Sequence, residues 1–117
     1  RPHLRALLVD DDTNFRESLA ILVEREGFDV RGAASLAEAR KLIGDEAPEV
    51  VLVDLQLPDG DGLELLRDEE LCARCDIIVI TGNASFESAV DALRQGATDY
   101  LTKPVDRGRL KTIPAPR

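Results

Sequence analysis

Apolar positions recur along the chain with two periods that alternate. Leu4–Asp10 is a short aliphatic run ending in acid. Thr13–Gly27 then carries Phe15, Leu19, Leu22 and Val23 at helical spacing, with Gly27 as a C-cap. The segment "FDVRGAA" alternates like a less buried strand. In "SLAEARKLI", Ser35 and Glu38 form a capping box and Leu36, Ala39, Leu42 and Ile43 share one face. "VVLVDL" predicts a third strand, and "GLELLRDEEL" one helix with Asp61 as N-cap. Asp76–Thr81 predicts a fourth strand. A helix runs from Ser85 toward a Gly96 cap, "DYLTK" is a shorter fifth strand, and "VDRGRLKTI" begins a last helix.

The first, third and fourth strands are nearly uninterrupted aliphatic runs, as in a parallel sheet covered by helices on both faces. Right-handed crossovers between them give a doubly wound α/β fold. No repeat, low-complexity tract or internal linker interrupts the five β/α units. One domain is expected over residues 1–117, a modal size for one core. Pro114 and Pro116 stop the last helix early. The chain is therefore expected to be a piece of a longer one lacking its output domain, or to be altered at its end.

Composition adds exclusions. Apolar residues are 44% and aromatics 3%, so the chain folds around an aliphatic core. A net charge of −8 argues against direct binding to nucleic acid or anionic membrane. No apolar run is long enough to span a bilayer and no signal peptide is evident, which makes a cytoplasmic location the expectation. Cys72 and Cys75 form a lone C-x-x-C; His3 is the only histidine, so a structural zinc site lacks ligands, and the pair reads as two ordinary thiols.

In a doubly wound sheet, ligands bind beyond the carboxyl ends of the strands. There the sequence places Asp10-Asp11-Asp12, Asp54, Thr81, and Lys103 followed by Pro104. Each has a plainer account singly: helix capping for the acids, a turn residue for Thr81, a surface position for Lys103. Their conjunction is more specific. Asp10, Asp11 and Asp54 cannot all stay ionised side by side without a cation. All-oxygen ligands select a hard ion such as Mg²⁺. With a lysine and a hydroxyl beside it, the group suits phosphoryl chemistry, in which a carboxylate can itself be the acceptor.

These segments resemble the receiver domain of two-component response regulators. "LLVDDDTNFRESL" is similar to its first strand and acidic pair, "VLVDLQLPDGDGLELL" to its phosphoacceptor strand and loop, "IIVITGNAS" to its hydroxyl-bearing strand, and "GATDYLTKPV" to its aromatic-and-lysine segment. The resemblance spans roughly residues 4 to 112 and implies a flavodoxin-like strand order 2-1-3-4-5. It also implies phosphorylation of Asp54. Asp11 would bind Mg²⁺ directly, Asp10 would assist through water, and Asp54 and the Gln56 backbone carbonyl would complete the ligands. Thr81 and Lys103 would hold the phosphoryl group, Tyr100 would be the switch aromatic, and the peptide before Pro104 is often cis in such domains. Asp12 is expected to cap rather than ligate. Implied partners are a sensor histidine kinase or phosphotransfer protein, a covalently linked AAA+ or DNA-binding output domain, and a second copy in a homodimer. "TGNASFESAVDALRQGATDYLTKPVD" is most similar to receivers attached to AAA+ activators of sigma-54 transcription.

Three rival readings fare less well. A haloacid-dehalogenase-type phosphatase needs Asp-x-Asp-x-Thr/Val, and Asn14 stands where Thr or Val should be. A flavodoxin-like flavin carrier would not place three acids where a phosphate must sit. A receiver acting only as a phosphorylation-independent interaction module would not need the chemical residues, all of which are present.

Overall fold

In the computed structural model, residues 4–82, 85–105 and 107–110 are described. Strands β1 (Leu4–Val9), β2 (Phe28–Ala33), β3 (Val50–Asp54), β6 (Asp76–Thr81) and β7 (Asp99–Thr102) form one parallel sheet in the order β2-β1-β3-β6-β7. This is the expected flavodoxin-like order. The central strands are buried throughout β3 and β6, because side chains on both faces of each meet helices.

The two faces carry separate cores. On one, Ala6, Leu8, Leu52, Ile78 and Ile80 pack with Leu19 and Val23 of α1 (Thr13–Arg25) and Leu110 of α5 (Arg107–Leu110). On the other, Leu7, Val9, Val51, Val53, Ile77 and Val79 pack with Leu36 and Ala39 of α2 (Leu36–Asp45), Leu71 of α3 (Glu69–Arg74) and Ala92 of α4 (Phe86–Arg94). The strict alternation in β1 and β3 divides their side chains between these cores.

Helix ends follow the sequence closely. Asp12 caps α1 by accepting the Phe15 N–H at 3.1 Å. Gly27 and Gly96 adopt positive φ of 98° and 108° after α1 and α4. Ser35 caps α2, but the Glu38 carboxylate reaches the Ala34 N–H at 2.7 Å rather than closing the expected box on Ser35.

The segment after β3 departs most from expectation. Instead of one helix, Gly62–Arg67 forms a 3₁₀ helix capped by Asp61, and Asp68 starts α3 anew by accepting the Leu71 N–H at 3.0 Å. Ahead of it, Gln56–Leu57 (β4) and Gly60–Asp61 (β5) make a small antiparallel hairpin that the sequence did not reveal. Its turn carries Asp59, whose carboxylate accepts the N–H groups of Leu36 and Ala37 at 2.8 and 2.9 Å. The loop after β3 is thus fastened to the start of α2.

Those N–H groups, Leu36 first and then Ala37, hold the Asp59 carboxyl below the usual aspartate range. A lowered folded value means the contribution is present above the ordinary aspartate range and is lost as pH falls through the folded value. In a ¹³C NMR titration, Asp59 is expected to have a lower midpoint in the folded chain than in the urea-unfolded chain. Equal midpoints would contradict the capping role.

Neither cysteine is disulfide-bonded. Burial pushes both thiols up, and Cys75 donates to the Pro48 carbonyl at 2.9 Å. That environment disfavours the thiolate redox chemistry requires, in keeping with two ordinary thiols. Among the described residues, no helix is long and apolar enough to cross a membrane. The expected stop at Pro114 and Pro116, and the end of the last helix, lie outside the described residues.

Candidate phosphoryl site

The sheet order reverses at β1, whose neighbours are β2 and β3; in such sheets ligands bind beyond the carboxyl ends of the strands at this switch point. Asp10 follows β1 and Asp54 is the last residue of β3; both are buried. Lys103, just past β7, reaches across to them. Its Nζ lies 2.7 Å from Asp10 Oδ2 and 2.9 Å from Asp54 Oδ2. The cis peptide expected before Pro104 is present.

Each carboxylate is oriented by its second oxygen. Asp10 Oδ1 accepts the Asp12 N–H at 2.9 Å, and Asp54 Oδ1 accepts the Gln56 N–H at 3.1 Å. Arg16 donates to the Asp10 carbonyl at 2.5 Å while its side chain lies over Gly32. Burial lowers the Lys103 pKa, but the hydrogen bonds it donates to Asp10 and Asp54, and their charge, outweigh it and leave the amine above its ordinary value. Lys103 therefore stays an ammonium through neutral pH.

Two buried carboxylates share one ammonium, so the centre keeps a formal negative charge. Asp11, exposed, adds another on the same turn. Among the described residues, no three acids, histidines or cysteines stand close enough to form a ready metal cage. Mg²⁺ does not need one: it binds through one or two carboxylates and keeps several waters. The all-oxygen Asp10–Asp54 pair with surplus negative charge fits that ion.

Thr81 ends β6, is buried, and accepts the Lys103 N–H through its carbonyl at 2.9 Å, which ties the ends of β6 and β7 together beside Asp54. No buried side-chain nitrogen or oxygen among the described residues lacks a partner. Tyr100 stands apart from the carboxylates. It is half-buried on the α4 side, its hydroxyl 2.8 Å from Ser88 Oγ. A groove of about 440 Å³ between α2 and α3, floored by Ile43, Leu65 and Leu71, contains none of these residues.

Four residues were not singled out by sequence reasoning. Phe15, there one of the apolar positions at helical spacing, lies beneath Lys103, with Nζ 4.3 Å from the ring centroid. Arg16 braces the Asp10 turn, and Ser88 holds Tyr100. Gly62 packs so tightly on the Asp54 backbone that a Cβ there would overlap the Asp54 carbonyl. The one available signal was the second glycine of "DGDG", which a polar turn does not otherwise require.

Comparison with known proteins places the chain in a family. The profile described as "Response regulator receiver domain" matches residues 6–114. The response regulator protein PilR of Pseudomonas aeruginosa is 41% identical over 112 residues, covering 95% of this chain and 25% of PilR. The regulatory protein AtoC of Escherichia coli is 38% identical over 110 residues, covering 93% of this chain and 24% of AtoC. The chain thus spans about a quarter of the length of these two relatives. A Burkholderia pseudomallei response regulator, solved with a phosphorylated aspartic acid, calcium ion and citrate, superposes with TM-score 0.82 at 39% identity, covering 92% of this chain and 64% of that one. The receiver domain of NtrX from Brucella abortus gives TM-score 0.83 at 32% identity, covering 92% of each chain. A match over nearly the whole sequence, with the same fold beneath it, makes this chain a member of the response regulator receiver domain family.

Proposed function

We propose that the chain is a phosphorylation-dependent signalling switch whose Asp54 accepts a phosphoryl group from a sensor histidine kinase or phosphotransfer protein. The observation that carries this reading is the Asp54 carboxylate, held at the sheet's switch point with Oδ2 on Lys103 and Oδ1 on the Gln56 N–H. An oxygen of Asp54 would form the new bond to phosphorus as the donor's phosphorus–nitrogen bond breaks. Lys103 would neutralise charge on the transferred group, and the Thr81 hydroxyl would donate to one of its oxygens. Asp10, Asp11, Asp54 and the Gln56 carbonyl would hold Mg²⁺, which supplies positive charge against the phosphoryl oxygens. No turnover of an external substrate is part of this role.

Phosphorylation adds negative charge and acceptor oxygens at Asp54. Lys103 and Thr81 gain a new partner, and Lys103 sits three residues beyond Tyr100 on the same segment. A shift there would reach Tyr100 and its Ser88 bond, changing the face formed by α4 and β7. A covalently linked output domain, controlling transcription, would read that face, and a homodimer would use it.

Incubation with acetyl phosphate and Mg²⁺, followed by intact-mass analysis, tests the reading. The expected result is a single phosphoryl adduct that disappears with Asp54→Asn and with chelator, accompanied by NMR shifts at Tyr100 and along α4. An adduct persisting in Asp54→Asn would refute the acceptor. No adduct at all would favour an interaction module, and an adduct with an unchanged α4 face would refute the switch.

A further inference from the structure

Lys103 carries three N–H bonds and the two carboxylates account for two. Another side of the ammonium faces the Phe15 ring, with Nζ 4.3 Å from its centroid. We propose that Phe15 is a positioning residue for phosphoryl transfer, its ring face holding the Lys103 ammonium against Asp54. The proposal rests on the reading of Asp54 as phosphoacceptor.

A lysine is a strongly hydrated point charge on a flexible four-carbon stem, so aiming it requires support. The face of an aromatic ring attracts an ammonium within about 6 Å of its centroid, more strongly where water is partly excluded. Lys103 meets that condition, with 20% of its side chain exposed. The ring supplies attraction without formal charge, so it adds nothing to repel an incoming phosphoryl group. It also has no strong acceptor lone pair, so it leaves an N–H free to turn toward a phosphoryl oxygen. A third carboxylate at this position would fail on both counts.

The ring's own placement is tied to the acids. Asp10 Oδ1 accepts the Asp12 N–H at 2.9 Å, and Asp12 Oδ1 accepts the Phe15 N–H at 3.1 Å. One turn between β1 and α1 therefore sets both the carboxylate above Lys103 and the ring beneath it. Phe15 also packs against the α1-side core, which limits its freedom.

Phe15→Leu keeps an apolar side chain without the ring, while Phe15→Trp and Phe15→Tyr restore a ring face. With acetyl phosphate and Mg²⁺, Phe15→Leu is expected to form the Asp54 adduct about three- to tenfold more slowly, and the aromatic variants within about twofold of the wild type. In the metal-free protein, the Lys103 ε-methylene protons are expected upfield through the ring current, at ordinary positions in Phe15→Leu, and upfield again in Phe15→Trp. Equal rates in Phe15→Leu and wild type, or a slowed rate that Trp and Tyr do not restore, would overturn the proposal. If the wild type forms no adduct that Asp54→Asn removes, the acceptor reading fails instead, and the ring-current shift still decides whether Phe15 holds Lys103.

Discussion

Gly62→Ala is expected to destabilise the chain by about 3 kcal/mol, the cost of forcing a methyl group into a filled site. The added Cβ would overlap the Asp54 carbonyl oxygen and press on its carbonyl carbon and on Val53 Cγ2. Two of these three atoms are backbone at the end of a buried strand, so no rotamer change relieves the clash. The Gly62 N–H also donates to the Leu55 carbonyl at 2.9 Å, holding the segment on both sides of the contact. Urea unfolding of wild type and variant measures the difference. Serine in place of glycine should cost at least as much, and an alanine variant as stable as the wild type would show that the two segments separate readily. The position of Asp54 thus depends on a residue eight further along the chain that has no chemistry of its own.

Lys103→Met is the second large effect. It leaves Asp10 and Asp54 buried together without their shared cation, a loss of about 3 kcal/mol for a broken buried ion pair in metal-free buffer. The companion measurement is Asp54→Asn in the same background. Removing one of two unpaired like charges should return a substantial part of the loss, giving a clear coupling in the double-mutant cycle. Additive effects would show that the Lys103–Asp54 contact carries no energy of its own. The wild-type contribution has a defined pH window: because the Lys103 pKa is raised in the folded chain, it is fully present below the ordinary lysine value and fades as pH climbs through the folded value.

Much of this organisation was legible because it is local or periodic. The aliphatic runs ending in Asp10, Asp54 and Thr81 announced buried parallel strands, and the rule that chemistry gathers at strand ends brought Asp10, Asp54 and Lys103 to one place. Asp12, Ser85 and Asp61 could be read as caps because their targets lie two or three residues away. The misreading of "GLELLRDEEL" has a specific cause. Leu63, Leu65 and Leu66 are apolar enough for a helix face, but Asp68 takes an extended conformation and caps a new helix, and the run Asp68-Glu69-Glu70 suits a first turn better than an interior. Other features depend on distant partners. Asp59 bonds to residues 22 and 23 positions earlier, and Phe15 meets Lys103 only once α1 is folded against the sheet. Periodicity marks Phe15 as inward-facing without saying what it faces.

The placement of β3 between β1 and β6 has a mechanical consequence. All five of its residues are buried, and neighbouring strands bond it from both sides. A carboxylate on its last residue is mounted on one of the least compliant parts of the molecule. Its backbone has little room to yield when the side chain acquires a new neighbour. Displacement must pass instead to a group that touches it from softer ground, and Lys103 is such a group: it follows β7, a four-residue strand at the edge of the sheet, paired among the described residues with β6 alone. The difference in stiffness between centre and edge gives an event at Asp54 a direction, outward along the sheet toward β7 and α4.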